Sequence, residues 1–208
     1  MQELDFINTW LGGHAITLAG IKALSGQSKQ LVVCEIGCGG GDNLAAIGRW
    51  AKRRNVKVSF VGIDINPNCI SVARERLSAN AAKLIVSDYR DVQFDQPPDI
   101  IFSSLFCHHF TNEELLKQLQ WMQQWARVGF FINDLHRHPL AYYSIKWLSA
   151  IFSKSYMVKN DAPLSVLRGF TRSEWLLLLN TAGIVNFSVR WKWAFRWLVI
   201  GAHSYSNL

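Results

Sequence analysis

The sequence predicts an α/β fold: a seven-stranded, mostly parallel sheet with helices on both faces, ending in an antiparallel β-hairpin. Three observations predict it. Short apolar runs alternate with segments whose apolar residues recur every three or four positions, the order of strands joined by helices. Runs such as QLVVCEI and DIIFSSL do not alternate apolar with polar, as suits strands buried on both faces. The last two strand-like runs, residues 185–191 and 195–203, leave room only for a short turn, so they pair antiparallel.

Residues 5–24 read as a leading helix in two pieces, with Phe6, Ile7 and Trp10 before a Gly12-Gly13 break and Ile16, Leu18 and Ile21 after it. QLVVCEI is the first strand. Asp42 or Asn43 is placed to cap the next helix, whose Leu44, Ile47 and Ala51 share one face. Residues 56–65 form the second strand, and Asn66-Pro67 opens a helix as a cap followed by proline. Residues 83–88 and 99–105 are the third and fourth strands, and Thr111 to Glu114 is a capping box ahead of Leu115, Leu119 and Met122. Residues 128–134 are the fifth strand and 139–158 an extra helix. Thr171 to Glu174 is a second capping box, with a helix end near Gly183. The sum is a Rossmann-like sheet. The 208 residues are expected to form one domain, with residues 1–28 and 139–170 as lids over its ligand edge.

Half the residues are apolar and 18% are charged, which excludes a disordered chain. Lysines and arginines interrupt every long apolar run, so no spanning helix is expected. The opening MQELDFINTW lacks a basic flank and is not expected to be a secretory signal. Cys34, Cys38, Cys69 and Cys107 show no CxxC spacing and are read as reduced thiols of a cytoplasmic protein. The net charge of +7 is uneven: residues 1–105 hold 11 Lys/Arg against 10 Asp/Glu, and residues 106–208 hold 11 against 5. The basic second half, with seven of the nine tryptophans, suits an acidic substrate, a nucleic acid or an anionic membrane surface.

The stretch VVCEIGCGGGDNL, residues 32–44, joins a strand to a helix through a crowd of glycines. Such a turn lets a ligand approach the backbone, and the helix start offers free N–H groups. The dinucleotide pattern G-x-G-x-x-G is incomplete, because Asp42 fills the third glycine slot. The spacing is Glu35-x-Gly37-x-Gly39-x-Gly41 instead. Glu35 and Asp42 would repel a pyrophosphate and welcome a ligand that carries an ammonium group. Asp64 and Asp88 stand at the carboxyl ends of the next strands, where open α/β sheets bind ligands. Asp64 suits vicinal ribose hydroxyls, as it would in a NAD site. Asp88 suits an adenine amino group, with Tyr89 or Ile65 against the ring.

These residues, with the later DIIFSSLFCHHF, resemble a class I S-adenosylmethionine-dependent methyltransferase, and are most similar to the small-molecule group that includes quinone-biosynthesis methyltransferases. The resemblance covers nearly the whole chain. It implies S-adenosylmethionine as cofactor, with Glu35, Gly37 and Gly39 at the methionine portion and Asp64 at the ribose. It places Asp88 at the adenine, and Ser104 and Leu105 beside the methyl donor. Nucleic-acid and amine N-methylating members often carry Asn or Asp followed by Pro-Pro-Tyr after the fourth strand. Ser103-Ser104-Leu105-Phe106 stands there instead, so DNA is not an expected partner and an oxygen or carbon acceptor is.

Four histidines follow the fourth and fifth strands, and histidine suits proton removal from a phenol or hydroxyl near neutrality. His109 and His136 are the candidate bases, with Asn133 and Asp134 as their supports; no metal is expected. Tyr142, Tyr143, Trp147, Phe152, Tyr156 and Met157 are expected to give the second lid an apolar inner face. His14, His108, His138, Tyr143, Trp147 and Arg168 are candidate acceptor contacts, Arg168 and Arg172 suiting an acidic group. The expected reaction is methyl transfer to a small, largely apolar acceptor, first of all the oxygen of a hydroxyaromatic such as a polyketide or quinone precursor. Two alternatives stand beside it: an RNA methyltransferase using the basic half, and an NAD(P)-dependent oxidoreductase, which Glu35 and Asp42 disfavour. In VRWKWAFRWLVI, Arg190 and Lys192 alternate with Trp191 and Trp193, a pattern able to rest on an anionic membrane.

Overall fold

A computed structural model of the chain describes residues 12–77, 82–152 and 156–203. Seven strands form one sheet in the order β3-β2-β1-β4-β5-β7-β6. They are β1 (Gln30–Ile36), β2 (Lys57–Asp64), β3 (Ala82–Val86), β4 (Ile100–Ser104), β5 (Gly129–Leu135), β6 (Phe187–Lys192) and β7 (Arg196–Ala202). β1 to β5 pair in parallel, and β7 runs antiparallel to both β5 and β6. The expected mostly parallel sheet with a terminal hairpin is borne out.

Alternation along each strand sorts side chains onto two faces. Leu31, Val33, Phe102, Phe131, Leu198 and Ile200 lie in one core cluster with α1 (Gly13–Ser25), α2 (Asp42–Arg54) and α3 (Pro67–Arg76), through Ile16, Ile21, Leu44, Ile47 and Ile70. Cys34, Ile36, Ile101, Phe130, Ile132 and Val199 lie in the other, against α4 (Asn112–Trp125) and α7 (Arg172–Thr181), through Leu115, Leu119, Met122 and Trp175. Both capping boxes form as the sequence indicates, Thr111 with Glu114 and Thr171 with Glu174. The Asn66 side chain caps α3 ahead of Pro67.

Three expectations change. The Asn43 side chain does not cap α2, and neither does Asp42; the cap is Gly41, and Asn43 turns inward. The segment after β5 is two helices, α5 (Pro139–Phe152) and α6 (Tyr156–Leu167), the second carrying Pro163 within it. The two pack on each other. The aromatics of α5 are not all turned inward: Tyr143 and Trp147 are exposed, 58% and 70%. The side chains of Phe152, Tyr156 and Met157, and the first piece of the leading helix, lie outside the described residues. The second piece, α1, is seated on the sheet, with Gly20 against the Phe131 ring.

That seat yields a stability prediction. A methyl group at position 20 would stand 2.5–2.8 Å from the Phe131 ring, itself stacked on Phe102 at 4.8 Å. Alanine gains about 1 kcal/mol of helix propensity over glycine, but overpacking costs about 1–3 kcal/mol. Gly20→Ala is expected to lower the unfolding free energy in urea titration, by about 1 kcal/mol net.

Candidate active site

The site lies where the carboxyl ends of β1, β2, β4 and β5 meet the glycine turn. Glu35 is the next residue after Leu31 and Val33 on the α2 face of β1, so its carboxylate enters the protein beneath the start of α2 and is buried there. Asn43 Nδ2 donates to Glu35 Oε1 at 2.8 Å, and Glu35 Oε2 has no partner. Asn43 Oδ1 in turn accepts from His14 Nδ1 at 3.1 Å and from Thr17 Oγ1 at 3.2 Å. His14, expected at the acceptor, therefore stands on the Glu35 side, with Asp42 3.8 Å from its other nitrogen. Burial pushes the Glu35 carboxyl well above the usual range, and the negative charges of Asp42 and Asp64 add to this.

Gly37 adopts a left-handed conformation (φ 65°), and a β-carbon there would lie 2.3 Å from the Phe106 ring. The turn after β4 is thus pressed against the glycine loop. Asp64 Oδ2 accepts from Gly39 N at 2.9 Å and Oδ1 from Asn66 N at 2.9 Å, which ties the end of β2 to the same loop and leaves further lone pairs outward. Asp88 pairs with Arg90 and accepts its backbone N–H at 2.9 Å; the Arg90 hydrogen bonds hold its carboxyl below the usual range. Tyr89 is buried edge-on to Trp121 and Phe106, and burial pushes its phenol up to about 12. Of the two residues expected against an adenine ring, Ile65 is the one whose side chain is at the surface, 73% exposed.

β5 supplies two consecutive polar residues that diverge. Asn133 points to the α1 face, where its Nδ2 donates to Gly13 O (3.2 Å), Thr17 Oγ1 (3.4 Å) and Ser104 Oγ (3.3 Å). Asp134 points to the opposite face and is fully buried. Its Oδ2 accepts from the backbone N–H of Phe106 (3.1 Å) and Cys107 (2.7 Å), and its Oδ1 from His108 Nδ1 (2.8 Å) and Leu135 N (2.7 Å). Burial alone would raise the Asp134 carboxyl, but these hydrogen bonds, that of His108 first, hold it below the usual carboxylate range. Leu105 takes a left-handed conformation (φ 52°), with its N–H on the Asn133 carbonyl at 2.9 Å.

The four histidines form two pairs. His108 and His109 stand 4.2 Å apart between ring centroids, and His136 and His138 stand 5.3 Å apart. Partial burial lowers the His109 imidazole, with neighbouring His108 acting in the same direction; His136 is lowered by burial and by His138. His136 packs on Trp197 at 4.8 Å, and its Nδ1 is buried without a partner. His138 Nδ1 accepts from Leu140 N at 3.2 Å. Arg168 is exposed at the end of α6. Sequence reasoning missed two groups, Asn43 as the holder of Glu35, and Arg196. Arg196 is 3% exposed with Nε and Nη1 unpaired; burial brings its guanidinium down to about 10, with Asp134 opposing. Its place at the start of an apolar strand, in FRWLVI, is the only signal of that burial.

An unpaired, buried carboxylate oxygen beside a glycine turn fits a cationic ligand and not a phosphate. A methyltransferase domain model matches residues 33–163, more than half of the chain, from β1 into α6. The chain belongs to the methyltransferase domain family. The methyltransferase resemblance read from the sequence is borne out by that match and by the fold. No curated protein matches the sequence significantly. Among solved structures, this methyltransferase is similar to the plantazolicin methyltransferase BpumL in complex with SAH (TM-score 0.70, 17% identity, 97% of this chain and 86% of that one). It is also similar to magnesium protoporphyrin IX methyltransferase from Synechocystis PCC 6803 with bound SAH (0.64, 14%, 93% and 84%). A third likeness is to human N-acetylserotonin methyltransferase in complex with SAM (0.67, 12%, 97% and 54%).

The raised Glu35 carboxyl predicts a stability effect of defined sign. A carboxyl whose folded value lies above its unfolded value of 4.5 stabilises the fold below that pH and loses the contribution as pH rises through the folded value. Glu35→Gln keeps an oxygen for Asn43 and removes the charge. The ligand-free variant is expected to be more stable than wild type at pH 7 by about 1–3 kcal/mol. The gain should shrink as pH falls towards 4.5, as read from thermal unfolding across that range.

Proposed function

We propose that the protein transfers a methyl group from S-adenosylmethionine to the oxygen of a small hydroxyaromatic acceptor in the cytoplasm. The observation that carries the reading is His108, fixed through Nδ1 by a buried, fully hydrogen-bonded Asp134 on the turn that presses against Gly37. S-adenosylmethionine supplies a methyl group already activated as a sulfonium. The structural relatives named above that hold SAM or SAH support this choice of cofactor.

The chain's residues then divide the work. Glu35 Oε2 receives the ammonium group, Gly37 and Gly39 admit the methionine portion, and Asp64 accepts from the ribose hydroxyls. Asp88 faces the adenine amino group, Ile65 the ring, and Ser104 lies near the transferred methyl. Asp134 holds His108 with Nδ1 as donor, so Nε2 is the nitrogen left to take the acceptor's hydroxyl proton. This is the geometry by which a carboxylate fixes a histidine's tautomer. His109 and His136, the bases chosen from sequence, have lowered values that leave them neutral at pH 7 and able to serve the same cleft. The unpaired donors of Arg196 suit an oxygen of the acceptor. The buried thiols of Cys34, Cys38 and Cys107 agree with a reducing compartment.

His108→Gln is expected to lower kcat by about 100- to 10,000-fold while leaving cofactor affinity within about twofold. Asp64→Ala is expected to abolish cofactor binding by calorimetry. The activity readout is the methyl ether formed from a panel of hydroxyaromatics. Product methylated at carbon or nitrogen alone, or full activity in His108→Gln, would defeat the reading.

A further inference from the structure

One surface is not used by the methyl-transfer site. α5 buries Ala141 and Ser149 and turns the opposite stripe outward, with Leu140 62%, Tyr143 58% and Trp147 70% exposed. On α6, Leu164 and Leu167 are about half exposed. The two stripes adjoin, since Tyr143 and Leu167 line the same concavity of about 300 Å³, together with His138. The β6–β7 hairpin reaches the same rim. Phe195 stacks on His138 at 5.4 Å and meets Trp191 edge-on at 6.3 Å, and both Trp191 and Trp193 are exposed. Exposed large apolar residues ordinarily stand singly; a row of them marks an interaction surface.

Charge decides what covers it. Residues 139–168 carry Lys146, Lys154, Lys159 and Arg168 against the single acid Asp161, and residues 187–193 add Arg190 and Lys192 with no acid. Lys146, Lys159, Arg168 and Arg190 are exposed. A second copy of the chain would set these cations against one another. An anionic lipid surface complements them, and tryptophan and tyrosine are the side chains that settle at a headgroup boundary. We propose that this face docks on an anionic phospholipid bilayer, with the apolar stripe in the headgroup boundary and the cations against the lipid phosphates. No described helix is long and apolar enough to cross a membrane, so the contact is one of lying on the bilayer. The docking stands apart from methyl transfer, and its test reads no catalysis.

The test is co-sedimentation of the full chain with vesicles of phosphatidylcholine alone and with about 30 mol% phosphatidylserine. Binding is expected on the anionic vesicles, at least about tenfold weaker on the neutral ones, and lost as salt rises to about 0.5 M. Leu140→Ser with Trp147→Ser, and separately Lys146→Glu with Lys159→Glu, should each weaken it about tenfold or more. Leu177→Ser and Val185→Ser, at exposed apolar positions outside this face, should leave it unchanged. Absence of binding to anionic vesicles, equal binding to both compositions, or equal losses in the control variants would overturn the proposal. So would lipid-free self-association removed by Trp147→Ser, which would make a second copy the occupant.

Discussion

The carboxylate of Asp134 is the group on which the ligand edge of the sheet depends. Parallel strands end in loops whose N–H groups have no ladder partner, and the loop after β4 would be free to choose among conformations. Asp134 removes that freedom by accepting from Phe106, Cys107, His108 and Leu135 at once. A buried charge is costly unless its lone pairs are filled, and here each oxygen takes two donors. The turn is thereby locked with Phe106 under the glycine loop and His108 in one orientation. The left-handed Leu105, unfavourable for a branched side chain, is held by the Asn133 carbonyl next along the strand. Loss of the Asp134 charge would release His108 and the Phe106 turn under the glycine loop together.

Glu35 is the contrasting case. It is as buried as Asp134 but keeps one oxygen unpaired, held in place by Asn43, His14 and Thr17 through a single amide. The fold gains nothing from such an atom; a site awaiting a cation does. The two buried acids differ in the number of lone pairs the protein satisfies, a difference that burial alone does not show. Arg196, buried with two donors unpaired, belongs with Glu35 on this criterion.

Local rules made most of the fold legible. The continuous apolar runs, the two capping boxes and Asn66-Pro67 each depend on residues a few positions apart, and all formed where the sequence put them. The glycine turn and its acids were legible for the same reason, being one strand, one turn and one helix start. What was hidden depends on distant partners. Asn43 has the composition of a cap, and only the approach of Glu35 and α1 makes it a bracket instead. His108 and His109 are identical neighbours in sequence, and only Asp134, 26 residues from His108, distinguishes them. Residues 139–158 read as one helix, although two helices, α5 and α6, pack on each other there, the second with Pro163 inside it.

The orientation of the α5 aromatics likewise depends on more than local pattern. In a helix laid on a globular body, Tyr143 and Trp147 would be the side chains to bury, and Ser149, on the opposite side of the helix, the one to expose. The structure does the reverse: Ser149 is 1% exposed and Trp147 70%. Burial of a serine while a tryptophan stays in water runs against the hydrophobic effect by about 2 kcal/mol or more for that side chain. The α5–α6 pair has cations flanking its stripe and the concavity opening beside Tyr143 and Leu167. Its outer face suits a lipid surface, and its inner rim lies at His138, two residues beyond His136 at the end of β5.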